Sequence, residues 1–163
     1  MKKKTIIAWE EWCALPDLGI HAIKLKADTG AKTSALAATN IKPFIKEGQT
    51  YVSFQIYPIQ RNTKIVVQCC SPLVDYRYIT SSTGQREKRY VIKTMINLNH
   101  QQWLIELTLA RRKNLAFRML LGREAIRKGH LIVDPSKSCL VGKMTKQDIK
   151  ILYSTVSPLI EVP

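Results

Sequence analysis

Nearly every apolar stretch of this chain is too short for a stable helix and ends at a turn-forming residue, which restricts it to a fold built from strands. Runs at Thr5–Trp9, Ala22–Ala27, Tyr51–Tyr57, Lys64–Cys70, Arg89–Ile96, Trp103–Ala110 and Phe117–Leu121 read as strands, with shorter ones at Leu131–Val133 and Cys139–Val141. Pro58, Pro72, Ser82-Thr83-Gly84, Asn97 to His100 and Asn114 fall between them and mark connections. One short helix is predicted over Arg123–Lys128, closed by Gly129. The expected class is all-β, a closed barrel with one short helix. A chain of 163 residues, 45% of them hydrophobic, holds material for one core. The expected division is a domain over 1–143 and a C-terminal extension over 144–163, whose Ser157-Pro158-Leu159-Ile160 suits an extended arm.

Asp28-Thr29-Gly30-Ala31 follows the predicted strand Ala22–Ala27. Glycine at position 30 lets the backbone turn sharply and approach a partner loop with no Cβ in the way. Thr29 offers a hydroxyl to brace that partner, and Asp28 is left at the tip. Asp-Thr-Gly also closes ordinary β-turns, so the reading leans on a second segment. Phe117-Arg118-Met119-Leu120-Leu121 is an apolar strand that runs into Gly122-Arg123 and then a helical start.

Together the two segments resemble a retropepsin, and more closely a bacterial retropepsin-like family labelled an ATP-dependent zinc protease and described as a partner of RimK-type glutamate ligases. The resemblance spans most of the chain. It rests on Leu15 to Ile20, Asp28 to Leu36, Ser82 to Gly84 with Glu87 and Arg89, Ile105 to Leu109 with Arg112, Met119 to Glu124, and Val133 to Ser136. It implies a retropepsin-like (acid protease) barrel and an aspartic endopeptidase. Asp28, Thr29 and Gly30 would form the catalytic loop. Ala31 would contact substrate, as would Ser82, Thr83 and Gly84 at the tip of a flap-like hairpin over Ile79–Arg89. Gly122 and Arg123 would support the loop from beneath.

The chain also departs from these relatives. Viral retropepsins place an acidic residue shortly after the loop to pair with the arginine of Gly-Arg, where this chain has Lys32-Thr33-Ser34. Arg123 is therefore expected to turn to Glu106 or Glu124, or to lie on the helix surface. The bacterial family commonly has His after Ser-Ala-Leu, and here that position is Ala37. Asp134-Pro135-Ser136 matches the family and reads as a turn after the strand Leu131–Val133.

Aspartic peptidase chemistry needs two carboxylates that share one proton, one form activating water and the other donating to the carbonyl oxygen. The chain has one such loop. Asp17, Asp75, Asp134 and Asp148 precede neither Thr-Gly nor Ser-Gly. A C2 homodimer solves this, because an isologous interface brings the same patch together twice. Two Asp28 carboxylates would then titrate jointly.

Lys and Arg outnumber Asp and Glu by 26 to 12, a net charge of +14, a balance shared by binders of nucleic acid, anionic membrane and acidic polypeptide; for a basic dimeric peptidase an acidic polypeptide is the natural substrate. Nucleic acid is not the expected partner, since there is neither an aromatic RNP strand nor a zinc finger. Cys13, Cys69, Cys70 and Cys139 lack C-x-x-C spacing, and a vicinal pair does not easily bridge itself, so a reducing compartment is expected. The apolar run Ile6–Ala8 is too short for a signal-peptide core; the expectation is a cytoplasmic protein without a membrane segment. His21, His100 and His130 are far apart and there is no His-Glu-x-x-His, so no metal is expected. Without a Gly-rich Lys-Ser/Thr loop no cofactor is expected either. The alternative to a peptidase is a non-catalytic domain on the same scaffold that recognises acidic peptides or proteins.

Overall fold

The structure, a computed structural model, describes residues 3–81, 83–111 and 116–154. Twelve strands and two α-helices are present among them, with one short 3-10 helix at Pro16–Leu18. In chain order they are β1 (Thr5–Ala8), β2 (Glu10–Leu15), β3 (Ile20–Asp28), β4 (Ser34–Ala37), β5 (Thr39–Lys46), β6 (Gln49–Ile56), β7 (Val67–Pro72), β8 (Asp75–Thr80), β9 (Arg86–Leu98), β10 (Gln101–Ala110), β11 (Met119–Gly122), α1 (Arg123–Lys128), β12 (Leu131–Asp134) and α2 (Lys146–Ser154).

The main sheet runs β10-β4-β11-β3-β2-β9-β8, and β9 also pairs with β10. Six strands therefore return to their starting point, the ring closing between β2 and β9 through Ala14 opposite Asn97. Inside lie Leu15, Ile20, Ile23, Leu25, Leu36, Ile92, Ile96, Leu107 and Leu109, all fully buried. The period-2 alternation of β2, with Glu11, Cys13 and Leu15 buried and their neighbours half-buried, is that of a strand with one face on a core. A second sheet, β5-β6-β7, adds Phe54 and Ile56 to the same core. A third is the parallel pair β1-β12. The all-β architecture expected from the short apolar runs is present, in the retropepsin-like form that the resemblance implies.

Several local expectations are corrected. β2, β4 and β5 were not foreseen, and β8 only at its Ile79–Thr80 end, within the expected hairpin; β5 is mostly solvated and carries Pro43, so hydrophobic alternation does not announce it. The strand expected from Lys64 begins at Val67, because Asn62 Oδ1 accepts the N–H groups of Lys64 and Ile65 at 2.8 and 3.0 Å and holds them in a turn. Cys139–Val141 is not a strand. The Cys139 N–H donates to the Glu10 carbonyl at 3.0 Å, and the next two turn to the fully buried Glu11, whose carboxylate accepts from Leu140 at 3.1 Å, Val141 at 3.2 Å and Ala8 at 2.6 Å.

The tail also begins differently from an extended arm. Residues 146–154 form α2, opened by a reciprocal cap: Asp148 N–H donates to Thr145 Oγ1 at 3.1 Å, and Thr145 N–H to Asp148 Oδ2 at 2.9 Å. Ile149 and Tyr153 bury its inner face against β3. Tyr153 Oη accepts from the Ala22 N–H at 3.0 Å and donates to the Ala22 carbonyl. Ser157 to Ile160 lie outside the described residues.

Candidate functional site

β3 ends at Asp28 with Gly122 of the parallel strand β11 as its register partner. The loop after Asp28 folds back at once, Ala31 N–H donating to the Asp28 carbonyl at 3.2 Å. α1 starts directly after Gly122 without a side-chain cap, so its first N–H groups need acceptors from elsewhere. The loop supplies them. Arg123 N–H donates to the Ala31 carbonyl at 2.7 Å and Glu124 N–H to that of Lys32 at 3.1 Å. The Arg123 guanidinium reaches the Thr29 carbonyl at 3.0 Å. Arg123 is thus tied to the loop's backbone rather than to a carboxylate; Glu124 pairs with Arg127, and Glu106 with Arg77.

Gly122 has no room for a side chain. A Cβ there would stand 2.6 Å from the Thr33 carbonyl carbon and 2.8 Å from the Ser34 nitrogen. Its own N–H donates to Ser34 Oγ at 2.9 Å. Buried Thr108 donates to the Ser34 carbonyl at 3.4 Å and accepts from Arg89 at 3.4 Å, so hydrogen bonds link the loop to the base of the β8–β9 hairpin. Gly30 differs. A Cβ at that position would meet only Asp28 Oδ1, at an ordinary 3.5 Å. Nothing among the described residues of the protomer requires glycine at position 30.

Asp28 is half-buried, whereas Thr29 and Gly30 are exposed. The loop forms one wall of a cleft of about 670 Å³, through Gly30, Ala31, Lys32 and Thr33. Arg77 to Thr80 of β8 form another wall, Ile105 and Glu106 of β10 a third, and the start of α1 closes it. Asp28 stands at the head of the loop and does not line the cleft of the single protomer. Four cations, Lys32, Arg77, Arg123 and Lys128, and two carboxylates, Glu106 and Glu124, line this space, with Arg77 and Glu106 paired to each other.

β8 and β9 form a hairpin in which Thr80 pairs with Arg86. Its turn is held by Ser81 N–H on the Gln85 carbonyl at 2.8 Å, with Gly84 at φ +84°. Thr83 and Gly84 sit exposed at the tip, away from the cleft lining, and Ser82 lies outside the described residues. The strand Arg77–Thr80, not its turn, is what the fold brings opposite Ala31. Ser34, Thr108 and Arg89 support the site and were given no role from the sequence, although Ser34 and Thr108 fall within the matched blocks and Arg89 is one of the matched residues. Asp134 closes the turn read for it. Ser136 N–H and Oγ–H donate to its carboxylate at 2.9 and 2.6 Å and hold its pKa below the usual value.

The cysteines are free thiols, and burial pushes Cys69 up to about 12, a poor nucleophile. Among the described residues no three His, Cys, Asp or Glu side chains cluster as metal ligands. No helix there is long and apolar enough to cross a membrane.

A mostly β protein whose Asp-Thr-Gly loop is locked beneath by a Gly-Arg helix start is retropepsin-like. Residues 6–144 match the RimB-like family, described as retropepsin-like aspartic endopeptidase RimB, and the chain belongs to that family. It is 47% identical over 154 residues to a Shewanella halifaxensis protein named "Probable alpha-L-glutamate ligase", covering 94% of this chain and 33% of that protein. A protein of the same name from Desulfotalea psychrophila is 46% identical over 151 residues, covering 93% and 32%. The chain thus spans about a third of the length of these relatives. The crystal structure of a Legionella pneumophila protein of unknown function superposes with a TM-score of 0.72 at 26% identity, covering 86% of this chain and all of that one.

Proposed function

We propose that this protein is an aspartic endopeptidase that acts as a homodimer, two Asp28 carboxylates sharing a proton and activating one water. The observation that carries the reading is the bracing of the Asp28 loop, whose carbonyls at 29, 31 and 32 are all taken by Arg123 and Glu124. A preorganised loop costs nothing to arrange at the moment of reaction. The exposed Thr29 and the unexplained glycine at position 30 fit a second loop packed against the first across a two-fold axis. In that arrangement one Asp28 takes a proton from water while the other hydrogen-bonds the scissile carbonyl oxygen. Ala31 and the β8–β9 hairpin, Ser82, Thr83 and Gly84 included, would hold the peptide. The surplus of cations in the cleft favours an acidic one.

A second reading draws on the relatives named as ligases, in which a segment like this is about a third of the protein. It is a non-catalytic domain that holds acidic peptides beside another activity. Cleavage of acidic and neutral peptides, followed by mass spectrometry, separates the two. Asp28→Asn is expected to lower cleavage by about 10³-fold or more while leaving the melting temperature unchanged. Wild-type protein that cleaves nothing but binds acidic peptide as well as Asp28→Asn does would establish the second reading instead.

A further inference from the structure

We infer that the outward face of the β8–β9 hairpin is a docking surface for an acidic polypeptide segment. Alternation along the two strands sorts the charges by face. Asp75, Arg77, Glu87 and Arg89 share the inner face, and they are paired: Arg77 with Asp75 and Glu106, and Arg89 with Glu87. The outer face carries Tyr76, Tyr78, Thr80, Arg86, Lys88 and Tyr90, with no carboxylate among them.

These side chains form a ladder. Tyr90 stacks on Tyr76 with ring centroids 4.4 Å apart; Lys88 Nζ lies 4.5 Å from the centre of Tyr76 and 5.6 Å from that of Tyr78; the Arg86 guanidinium lies 4.5 Å from Tyr78. Tyr78 is 58% exposed and Tyr76 43%, and Arg86 and Lys88 are exposed as well. Stacking fixes the rotamers, so a partner meets an ordered surface of tyrosine and cationic groups, the residue types that dominate interface energetics. β8 ends the sheet order, so its outer edge also presents backbone N–H and C=O groups to an added strand. Tyr78 borders the cleft too, and a bound segment can continue from one surface onto the other.

The chemistry on offer selects carboxylates. Tyr76 and Tyr78 are each already engaged by two neighbours, which takes up the ring faces that nucleic-acid bases would stack on. What remains is phenolic O–H, ammonium and guanidinium N–H, all donors suited to Asp and Glu side chains.

Binding is measured by fluorescence anisotropy of a labelled Glu-rich peptide on the Asp28→Asn protein, so that the result does not depend on catalysis. The double variant Arg86→Ala/Lys88→Ala is expected to lose about tenfold in affinity or more, and Arg86→Lys to keep most of it. Unchanged affinity in the double variant, whose two residues lie outside the cleft lining, would overturn the inference and place the peptide in the cleft alone. Tighter binding of oligouridylate than of the peptide would overturn it in favour of nucleic acid.

Discussion

Gly122 sets the relation between the Asp28 loop and everything beneath it, because its Cα faces the Thr33–Ser34 peptide with no space for a methyl group. Gly122→Ala is expected to cost about 1–3 kcal/mol by forcing β11 away from that peptide, read from the denaturation midpoint, and to lower activity beyond the stability loss. Glu11 is a different kind of anchor. Its buried carboxylate serves three backbone N–H groups from two distant parts of the chain, and Glu11→Ala leaves all three unsatisfied, at an expected cost of about 3 kcal/mol or more. Tyr153 carries a pH-dependent contribution. Burial raises its phenol from 10.0 to about 12, so the folded state favours the protonated form. That contribution is complete below pH 10 and is lost as pH rises towards 12. The stability gap between wild type and Tyr153→Phe should therefore be constant from neutral pH to pH 9 and narrow above pH 10 in urea titrations.

At the level of elements, what was legible is what local chemistry dictates. The Ala22–Ala27 strand, the Asp-Thr-Gly turn, the apolar run into Gly-Arg and the helix Arg123–Lys128 closed by Gly129 all show in composition and spacing. Of the unforeseen elements, β4 depends wholly on partners far away in the chain, whereas β2, β5 and β8 each pair with the strand that follows them. β4 is buried on every residue of Ser34-Ala35-Leu36-Ala37, a run too short and too small-sided to announce itself, and it exists because β10 and β11 flank it. β8 is polar and solvated and is held by cross-strand contacts to β9. The pairing of Arg123 with the Thr29 carbonyl depends on a fold that brings position 29 beside position 123, and no local rule supplies that. α2 has a local signature, since Thr145-Lys146-Gln147-Asp148 has the spacing of a reciprocal helix cap.

The whole protomer offers one Asp28 loop and a cleft that its own aspartate does not line. Both features are accounted for if the working unit contains two chains. The charge of +14 works against self-association at low ionic strength, so the dimer is expected to need apolar and hydrogen-bonded contacts around the loops rather than surface charge.

The most direct test mixes wild-type protein with Asp28→Asn protein, re-equilibrates the subunits and measures peptide cleavage at fixed total concentration. If each site is built from two Asp28 residues, every mixed dimer is dead and activity falls as the square of the wild-type fraction. Activity that falls in direct proportion to that fraction would mean that each protomer works alone, and would contradict the paired-aspartate account.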